Sequence, residues 1–389
     1  MNTIAEKVLQ TFKESFSTEP AFYFSPGRIN LIGEHVDYND GFVMPAAIDK
    51  GVYYAIKKND SHDIHFYAAD FNEWFSVSIN EIRKNTSWKN YVLSVIKEFL
   101  LLDKKISGFN CVFGGNIPRG SGMSSSAAVE GGLAFALNDI FDFGLNRVEL
   151  AELCQRAEHN FPGVKCGIMD QFANMMGKKN HVILLDCKNI THQYFPLNLD
   201  EFKIVLINSA VHHSLAAGEY NIRRKQCEEG LNILKENLNI NSFRDISDAS
   251  HIASFKDQMS EDVYKRCLFV IEEIQRTQQA AILLKENNLI GFGKRMFETH
   301  EGLSKLYDVS CNELDFLVEY AKTNKSVIGA RLMGGGFGGC TINIVKENAA
   351  ENFIHEISEA YLKKFNITPE AYMVETSNGT DAIKTEVLL

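Results

Sequence analysis

Apolar and polar positions divide the chain into two halves of different texture. In the first half, short runs of β-branched and aromatic residues predict strands, and apolar residues at helical spacing predict helices between them. The predicted strands are Ala21–Phe24, Phe42–Ile48, Val52–Lys57, Ile64–Ala69, Trp74–Ile79, Ser107–Phe113, His181–Cys187 and Lys203–Asn208. The predicted helices are Met1–Phe16, Tyr91–Leu102, Ser125–Phe141, Arg147–Asn160 and Met169–Met176.

The second half is richer in long, charged helices. Its predicted helices are Glu219–Asn237, Glu261–Glu286, Leu289–Phe297, Asn312–Lys322 and Ala349–Lys364, and its predicted strands are Cys340–Val345 and Ala371–Glu375. Because both halves mix helix with strand and regular βαβ alternation is missing, we predict an α+β fold with antiparallel sheet. The change of texture near residue 205 predicts two domains, 1–205 and 206–389.

Composition limits the classes of partner. The 389 residues carry a net charge of −10 with dispersed Lys and Arg, which argues against nucleic acid or an anionic membrane as a main partner. No apolar run approaches the length of a membrane span. The eight cysteines show no CxxC spacing, so we expect reduced thiols in a cytoplasmic protein and no zinc site. We further expect a monomer that acts on small molecules.

The segment 26–45 concentrates chemically active groups in an apolar, β-prone stretch. These groups are Arg28, Glu34, His35 and Asp37. Charged groups in apolar surroundings are costly unless they are paired or used. A polyhydroxylated ligand would use them, because carboxylates accept hydrogen bonds from hydroxyls and imidazole donates or accepts.

A glycine- and serine-rich segment, residues 114–130, follows a predicted strand and opens a predicted helix. Glycines let the backbone approach a polyphosphate, and the free N–H groups and dipole of a helix start attract anions. The serines supply hydroxyl donors for phosphate and an oxygen for Mg²⁺. The alternative is a flexible loop with a serine N-cap. The Gly-Lys-Ser/Thr of a Walker A loop does not occur.

Two carboxylates, Glu158 and Asp170, lie on predicted helices, and Asp170 has apolar neighbours. A carboxylate in an apolar setting is a helix cap, half of a structural ion pair, or a catalytic group. Phosphoryl transfer needs a base for the attacking hydroxyl, a metal carboxylate and a cation near the moving phosphoryl group. Asp170, Glu158 and Arg28 are of the right types, but the sequence alone does not bring them together.

Three stretches together resemble the galactokinases of the GHMP small-molecule kinase superfamily. Residues 27–38 resemble the galactokinase signature, 118–128 the ATP loop of the superfamily, and 331–341 its C-terminal glycine motif. The resemblance covers essentially the whole chain. It implies a two-domain GHMP kinase fold, with an N-terminal ribosomal-protein-S5-domain-2-like domain, a C-terminal ferredoxin-like α+β domain and the active site between them.

The resemblance also implies an activity and its residues. The implied enzyme is an ATP-dependent galactokinase that makes α-D-galactose 1-phosphate, the first committed step of galactose catabolism, with Mg²⁺ as cofactor. Asp170 matches the catalytic base, and Arg28 matches the cation that keeps it ionised. The implied Mg²⁺ ligands are Ser126 and Glu158. The implied sugar-binding residues are Glu34, His35, Val36, Asp37, Gly167 and Tyr220. The implied ATP-binding residues are Gly120, Ser121, Gly122, Met123, Ser124, Ser125, Ser126 and Trp88.

Several of these assignments keep a structural alternative. Tyr220 and Trp88 could be core aromatic residues, and His35 could hydrogen-bond a backbone carbonyl group. The glycines 334–336 and 338–339 either permit a tight turn or shape the floor of the active site.

Alternative functions also stay open at this point. They are an N-acetylgalactosamine or related sugar kinase, a non-catalytic galactose sensor and a purely structural protein. The run 166–170 resembles galactokinase proper, and the intact Ser-Ala pair in the ATP loop disfavours the sensor.

Overall fold

The structure is a computed structural model that describes residues 3–85, 87–118, 120–212 and 216–384. Its helices are α1 Thr3–Phe16, α2 Lys89–Leu101, α3 Ser125–Ile140, α4 Arg147–Asn160, α5 Met169–Met176, α6 Ala216–Asn237, α7 Glu261–Lys285, α8 Leu289–Lys305, α9 Asn312–Thr323 and α10 Ala350–Phe365. Within the described ranges, no helix is both long and apolar enough to cross a membrane.

The strands form three sheets. They are β1 Ala21–Asn30, β2 Phe42–Val43, β3 Pro45–Lys58, β4 Asp63–Ala68, β5 Glu73–Ser78, β6 Phe109–Gly115, β7 His181–Asp186, β8 Thr191–Pro196, β9 Phe202–His212, β10 Val327–Leu332, β11 Gly338–Lys346, β12 Glu370–Val374 and β13 Asp381–Ala382. The smallest sheet is antiparallel, in the order β2-β7-β8.

The largest sheet has the strand order β13-β1-β3-β6-β4-β5. All of its pairs are antiparallel except β4 with β6. Alternate residues of β3 enter different cores, as the two-residue period of a strand requires. Tyr54 and Ile56 belong to the core under α2, α3 and α4, whereas Tyr53 and Ala55 belong to the core under α1. Both faces of this sheet are therefore covered by helices.

The second sheet is antiparallel throughout, in the order β10-β11-β9-β12. Along the chain, its strands and the helices between them follow the split β-α-β-β-α-β pattern of ferredoxin-like domains. Val205 and Ile207 of β9 pack under α9 and α10. Leu206, on the opposite face of β9, shares an apolar cluster with Ile29 of β1 and Ile342 of β11. This shared core joins the two sheets.

The chain returns to the first sheet after β12. Ser377 N donates a hydrogen bond to Ala47 O and Gly379 N donates to Gly177 O, both at 2.8 Å. Strand β13 then pairs with β1. The boundary expected near residue 205 falls inside β9, which pairs with β11 and β12, and the division into 1–205 and 206–389 stays a prediction.

The differences from the predicted elements have local causes. Helices α4 and α5 have the predicted bounds, and α4 begins with a capping box between Asn146 and Glu149. The sequence analysis missed β8, β10 and β13, and β10 contains Gly329 and Arg331, which are atypical of strands. Helix α8 continues past the predicted end, Phe297, to Lys305. The apolar pattern missed these turns because they bury polar side chains such as Thr299, which donates a hydrogen bond to the buried Glu273 carboxylate.

Candidate active site

A bidentate ion pair joins strand β1 to helix α5. The register of β1 shifts between Pro26 and Arg28, and such a bulge re-aims the side chains that follow. The bulge needs glycine, because a Cβ at Gly27 would stand 2.7 Å from Met123 O. Arg28 donates from Nε to Asp170 Oδ1 (2.6 Å) and from Nη2 to Oδ2 (2.7 Å). The fold thus brings together two groups that are 142 residues apart in the sequence.

Arg28 stays charged in this setting. The side chain of Arg28 is 6% exposed and that of Asp170 is 26% exposed. Burial lowers the pKa of Arg28, but the Asp170 carboxylate more than offsets this effect, so the pKa lies above its usual value. Arg28 also donates from Nη1 to Gly122 O in the predicted ATP loop. Each Asp170 oxygen has a second lone pair, which a ligand hydroxyl can use.

A polar cavity of 210 Å³ opens beside this ion pair. Its lining includes eight of the site residues implied by the resemblance: Arg28, Glu34, His35, Asp37, Glu158, Gly167, Asp170 and Tyr220. The side chain of Val36 does not line this cavity. It is fully buried in an apolar cluster with Phe269 and Ile274 of α7. The structure therefore assembles the predicted sugar residues around one space, with the side chain of Val36 in the core.

Glu34 is held by an arginine from the C-terminal sheet. Arg331 Nη2 is 3.0 Å from Glu34 Oε1, and Gly334 N donates to the same oxygen at 2.8 Å. The two side chains are 0% and 2% exposed. The other Arg331 donors meet the backbone carbonyl groups of Asn30, Leu31 and Leu332. Because both hydrogen bonds go to Oε1, Glu34 can offer Oε2 to a ligand in the cavity.

Asp37 occupies the space that a side chain at position 167 would take. A Cβ at Gly167 would lie 2.0 Å from Asp37 Oδ2, so glycine is needed to admit this carboxyl group. Burial, followed by the charges of Asp170 and Glu34, raises the pKa of Asp37 to about 7. Near neutral pH, this group therefore exists both as an acceptor and as a protonated donor.

A larger cavity, of 610 Å³, reaches the start of α3 at Ser125 and Ser126. Trp88 stacks on Phe71, with ring centroids 4.9 Å apart and planes 6° apart. The Trp88 Nε1 atom donates to Glu73 Oε2 at 3.0 Å. Aromatic walls with hydroxyl groups at one end suit a flat base joined to a phosphate chain. The other aromatic residues of the wall are Tyr91 and Phe113.

The loop before α3 does not cap the helix with its own side chains. Ser124 is the N-cap residue, but its hydroxyl makes no capping bond and is a buried oxygen without a hydrogen-bond partner among the described residues. The Ser121 hydroxyl turns away to donate to Pro118 O at 2.7 Å. The N–H groups at the start of α3 are therefore open to an anionic ligand.

The other predicted loop residues contact the ion pair or shape the turn. The Met123 side chain is buried, and its carbonyl group accepts a hydrogen bond from Arg28 N at 3.0 Å. Gly120 and Gly122 have left-handed φ values of 69° and 70°. Arg119, between Pro118 and Gly120, lies outside the described residues.

Ser126 and Glu158 relate the two cavities to each other. Ser126 lines the larger cavity and Glu158 lines the smaller one, and the Ser126 hydroxyl favours the ionised form of the Glu158 carboxyl group. Gln171 Nε2 donates to Glu158 Oε2 at 2.7 Å. Burial, followed by the charge of Asp170, raises the pKa of Glu158 to about 7.

This pair fits a hard cation. Hydroxyl and carboxylate oxygens are the ligands that Mg²⁺ prefers, and Mg²⁺ commonly takes one or two protein ligands plus phosphate and water. Among the described residues, no group of three or more His, Cys, Asp and Glu side chains could hold a metal. A cation at Ser126 and Glu158 would therefore take most of its ligands from phosphate and water.

Three family profiles match the chain in the order of its motifs. The galactokinase galactose-binding signature matches residues 10–58. The GHMP kinases N terminal domain matches residues 90–178, and the GHMP kinases C terminal domain matches residues 280–363. Each match contains one of the three motifs from the sequence analysis.

Curated relatives extend the similarity over nearly the whole chain. A galactokinase of Clostridium acetobutylicum is 40% identical over 98% of this chain and 99% of its own length. A galactokinase of Thermosipho africanus is 40% identical over 92% of this chain and 99% of its own length. The chain belongs to the galactokinase family. The resemblance found in the sequence is thereby confirmed.

Solved structures extend the similarity to the fold. Lactococcus lactis galactokinase, solved in complex with galactose, matches with a TM-score of 0.94 and 32% identity over 98% of this chain and 100% of that chain. Methanococcus jannaschii mevalonate kinase, with a TM-score of 0.67 and 22% identity over 92% of this chain and 99% of that chain, shares the fold. The predicted α+β, two-domain GHMP kinase fold is confirmed.

The sequence analysis assigned no role to three buried polar residues of this galactokinase-family site. Arg331 stands between two apolar residues at the start of the third motif, and a charged residue in such a position indicates a buried, paired group. Gln171 directly follows Asp170, and its contact with Glu158 had no signal. Glu130 is fully buried on α3, and burial, followed by the charge of Glu158, raises its pKa well above the usual value.

Proposed function

We propose that this chain transfers the γ-phosphoryl group of ATP to the anomeric hydroxyl of D-galactose, giving α-D-galactose 1-phosphate and ADP. The observation that carries the proposal is the Arg28–Asp170 pair, which lines the polar cavity and contacts the ATP loop through Gly122. The curated relatives are galactokinases, and one solved relative holds galactose, which supports galactose as the sugar.

The larger cavity is the proposed ATP site. The base lies between the aromatic walls near Trp88 and Phe71, and the phosphates follow the loop to the start of α3. The Ser125 and Ser126 hydroxyls and the open N–H groups there donate to phosphate oxygens. This arrangement directs the γ-phosphate towards the smaller cavity.

The smaller cavity is the proposed sugar site. Glu34 accepts from a sugar hydroxyl through Oε2, and Asp37 and Tyr220 supply further donors and acceptors. Each hydroxyl held in this way is worth about 1–3 kcal/mol of discrimination, because an epimer without it leaves a buried polar group unpaired. Such contacts would distinguish the axial 4-hydroxyl of galactose from the equatorial one of glucose.

Asp170 is the proposed general base and Arg28 the proposed electrostatic stabiliser. Asp170 accepts the proton of the anomeric hydroxyl as that oxygen bonds to the γ-phosphorus, while the bond from this phosphorus to the β–γ bridging oxygen breaks and ADP leaves. Arg28 pairs with Asp170 and attracts the negative charge of the transferring group.

Ser126 and Glu158 would hold Mg²⁺, which when bound neutralises phosphate charge. We also propose that the enzyme works in the cytoplasm. All eight cysteines are free thiols, which supports a reducing compartment.

The test is ADP release measured with galactose, glucose, N-acetylgalactosamine and mevalonate side by side. We expect galactose to give the highest kcat/KM. The matched control is Asp170→Ala, which should lower kcat by about 10³-fold or more while calorimetry still detects galactose binding. Faster turnover of another sugar or of mevalonate would contradict the substrate. Near-normal turnover by the variant would contradict the base.

A further inference from the structure

Beside the smaller cavity, the proposed sugar site, four polar side chains form one continuous series of hydrogen bonds. His35 Nδ1 is 2.8 Å from the Tyr38 hydroxyl, which is 2.9 Å from the Tyr307 hydroxyl. Cys227 Sγ is 3.1 Å from the same Tyr307 hydroxyl. On the other side of the imidazole, His35 Nε2 is 3.2 Å from Gly335 O. This series of hydrogen bonds therefore connects Cys227 of α6, through the galactokinase signature, to Gly335 in the C-terminal glycine motif.

The Gly335 carbonyl group and the neutral imidazole together fix the direction of every hydrogen bond in this series. A carbonyl oxygen only accepts, so the proton of the neutral ring is on His35 Nε2, which donates to Gly335. Burial lowers the pKa of His35 to about 4, so the ring is neutral at physiological pH and Nδ1 is an acceptor. Tyr38 therefore donates to His35, Tyr307 donates to Tyr38, and Cys227 donates to Tyr307.

Two hydrogen bonds and two neighbouring aromatic rings fix the imidazole at the edge of the cavity. His35 is 3% exposed, and Tyr307 and Cys227 are completely buried. The His35 ring lies 4.9 Å from the Tyr307 ring and 5.4 Å from the Tyr220 ring, between centroids. The backbone of His35 has a left-handed φ of 62°, a conformation that is uncommon for a residue with a side chain. A buried side chain with fixed partners is a physical reason for this conformation to persist.

The position of His35 in the sequence gives this arrangement a consequence for the sugar. His35 directly follows Glu34 and precedes Asp37 by two residues, and all three line the polar cavity. The backbone angle at His35 therefore sets where the two carboxyl groups stand. Both ring nitrogens already have protein partners, so the imidazole has no free nitrogen for a sugar hydroxyl in this conformation.

We propose that Cys227, Tyr307 and Tyr38 form a donor relay that positions His35, and that His35 joins the sugar signature to Gly335 instead of hydrogen-bonding the sugar through its ring nitrogens. This proposal rests on the proposed function and deepens it. His35, Tyr38 and Tyr307 are then positioning residues, and their contribution is the placement of Glu34 and Asp37. The two tyrosines lie 269 residues apart in the sequence.

The kinetic test removes one hydroxyl at a time. With galactose and ATP varied separately, Tyr38→Phe should raise the galactose KM roughly fivefold or more, because His35 Nδ1 loses its donor. The ATP KM should stay within about twofold, because the nucleotide cavity is untouched. Tyr307→Phe should act in the same direction but less strongly. The double variant should match Tyr38→Phe, since Tyr307 acts only through Tyr38.

Tyr361→Phe is the matched control. Tyr361 is also fully buried and donates its hydroxyl to Ser209 O at 2.8 Å, but it belongs to the cluster under α9 and α10. It should lower stability without a selective change in the galactose KM. If the relay variants change the galactose KM no more than this control does, the positioning role is overturned.

The second measurement does not depend on turnover. Nitrogen-15 NMR of histidine-labelled protein, with His35 assigned from the His35→Gln variant, reports which ring nitrogen carries the proton. We expect the Nε2–H tautomer in the parent, because Gly335 O accepts from it. Tyr38→Phe should keep this tautomer but shift the Nδ1 resonance, because Nδ1 loses its donor. A parent His35 protonated on Nδ1 overturns the relay even in an active kinase. A parent with the expected tautomer that makes no ADP from galactose counts against the proposed function alone.

Discussion

The proposed sugar cavity and the proposed nucleotide cavity are built from opposite kinds of side chain. The residues that line the sugar cavity come from positions 28 to 335 and include four carboxyl groups, a guanidinium and an imidazole. Those that line the nucleotide cavity all lie between positions 52 and 129 and are mainly aromatic and small. The sugar side therefore depends on contacts that only the complete fold provides, whereas the nucleotide side is assembled within one segment.

The difference has an energetic meaning. A buried charge tolerates little displacement, because losing its partner leaves an unpaired ion in a medium of low dielectric constant. Aromatic walls and backbone N–H groups accept small shifts at a smaller cost. We expect variants on the sugar side to change stability and galactose recognition together, and variants on the nucleotide side to change ATP binding alone.

The largest expected effect is that of Arg331→Met. This change leaves the Glu34 carboxylate buried without its ion-pair partner and several backbone carbonyl groups without donors. We expect a loss of about 3–5 kcal/mol in the free energy of unfolding, measured by urea denaturation, and a rise in the galactose KM. Arg331→Lys keeps the charge and serves as a milder variant if the Met variant does not fold.

Arg244→Met is the control for that comparison. Arg244 makes two hydrogen bonds to Asp186, at 2.7 and 3.1 Å, and both side chains are partly exposed at 18% and 14%. It should destabilise the protein less than Arg331→Met and leave the galactose KM unchanged. If the two variants behave alike, the Arg331–Glu34 pair has no special link to the sugar.

A smaller effect, with a defined pH dependence, is expected from Glu158→Gln. The folded-state pKa of Glu158, about 7, lies above its ordinary value of 4.5. The folded state therefore holds this proton more tightly than the unfolded state, and the associated stability is lost as pH rises from 4.5 to 7. Without metal, the Gln variant should be more stable than the parent at pH 8, by up to about 3 kcal/mol, and similar to it at pH 4.

Thermal denaturation at several pH values measures this difference, and Mg²⁺ provides the second arm. With ATP present, Mg²⁺ should stabilise the parent more than the variant, and the variant should release ADP slowly. Equal pH profiles for parent and variant would show that ionising Glu158 has no cost. Equal Mg²⁺ dependence of ADP release would remove Glu158 from the metal site.

The smallest effect is expected from Trp88→Ala, on the nucleotide side. The change removes the ring that stacks on Phe71 in the larger cavity. Aromatic stacking with a base is worth about 1–3 kcal/mol, so the ATP KM should rise by about tenfold while the galactose KM stays the same. Trp74→Ala is the control, because Trp74 is 49% exposed and does not line this cavity. A parallel rise in both KM values would contradict the separation of the two cavities.

The sequence predicted the parts of the site that lie within one segment. The ATP loop, the start of α3 and the helix carrying Asp170 are local patterns, and they were predicted from glycine content and helical spacing. The shared cavity of Glu34, Asp37 and Tyr220 followed from a family resemblance, since nothing in those residues alone specifies their distance.

The contacts that close the site could not be predicted from local pattern. Arg331 reaches Glu34 across 297 residues, and the packing of the second sheet against β1 places it there. The space for Asp37 depends on the missing side chain of Gly167, which is visible only when both backbones are in position. Val36 was grouped with its polar neighbours by the motif, whereas hydrophobicity alone would have placed its side chain in the core.

The last described residues tie the two ends of the chain together. Without β13, strand β1, which carries Arg28, would become an exposed edge strand. The backbone hydrogen bonds from Ser377 and Gly379 make the largest sheet depend on residues that are translated after α10. The strand that carries Arg28 therefore gains its outer neighbour only once translation has passed β13, and a stop codon between α10 and β13 would leave that strand with a free edge more than three hundred positions upstream.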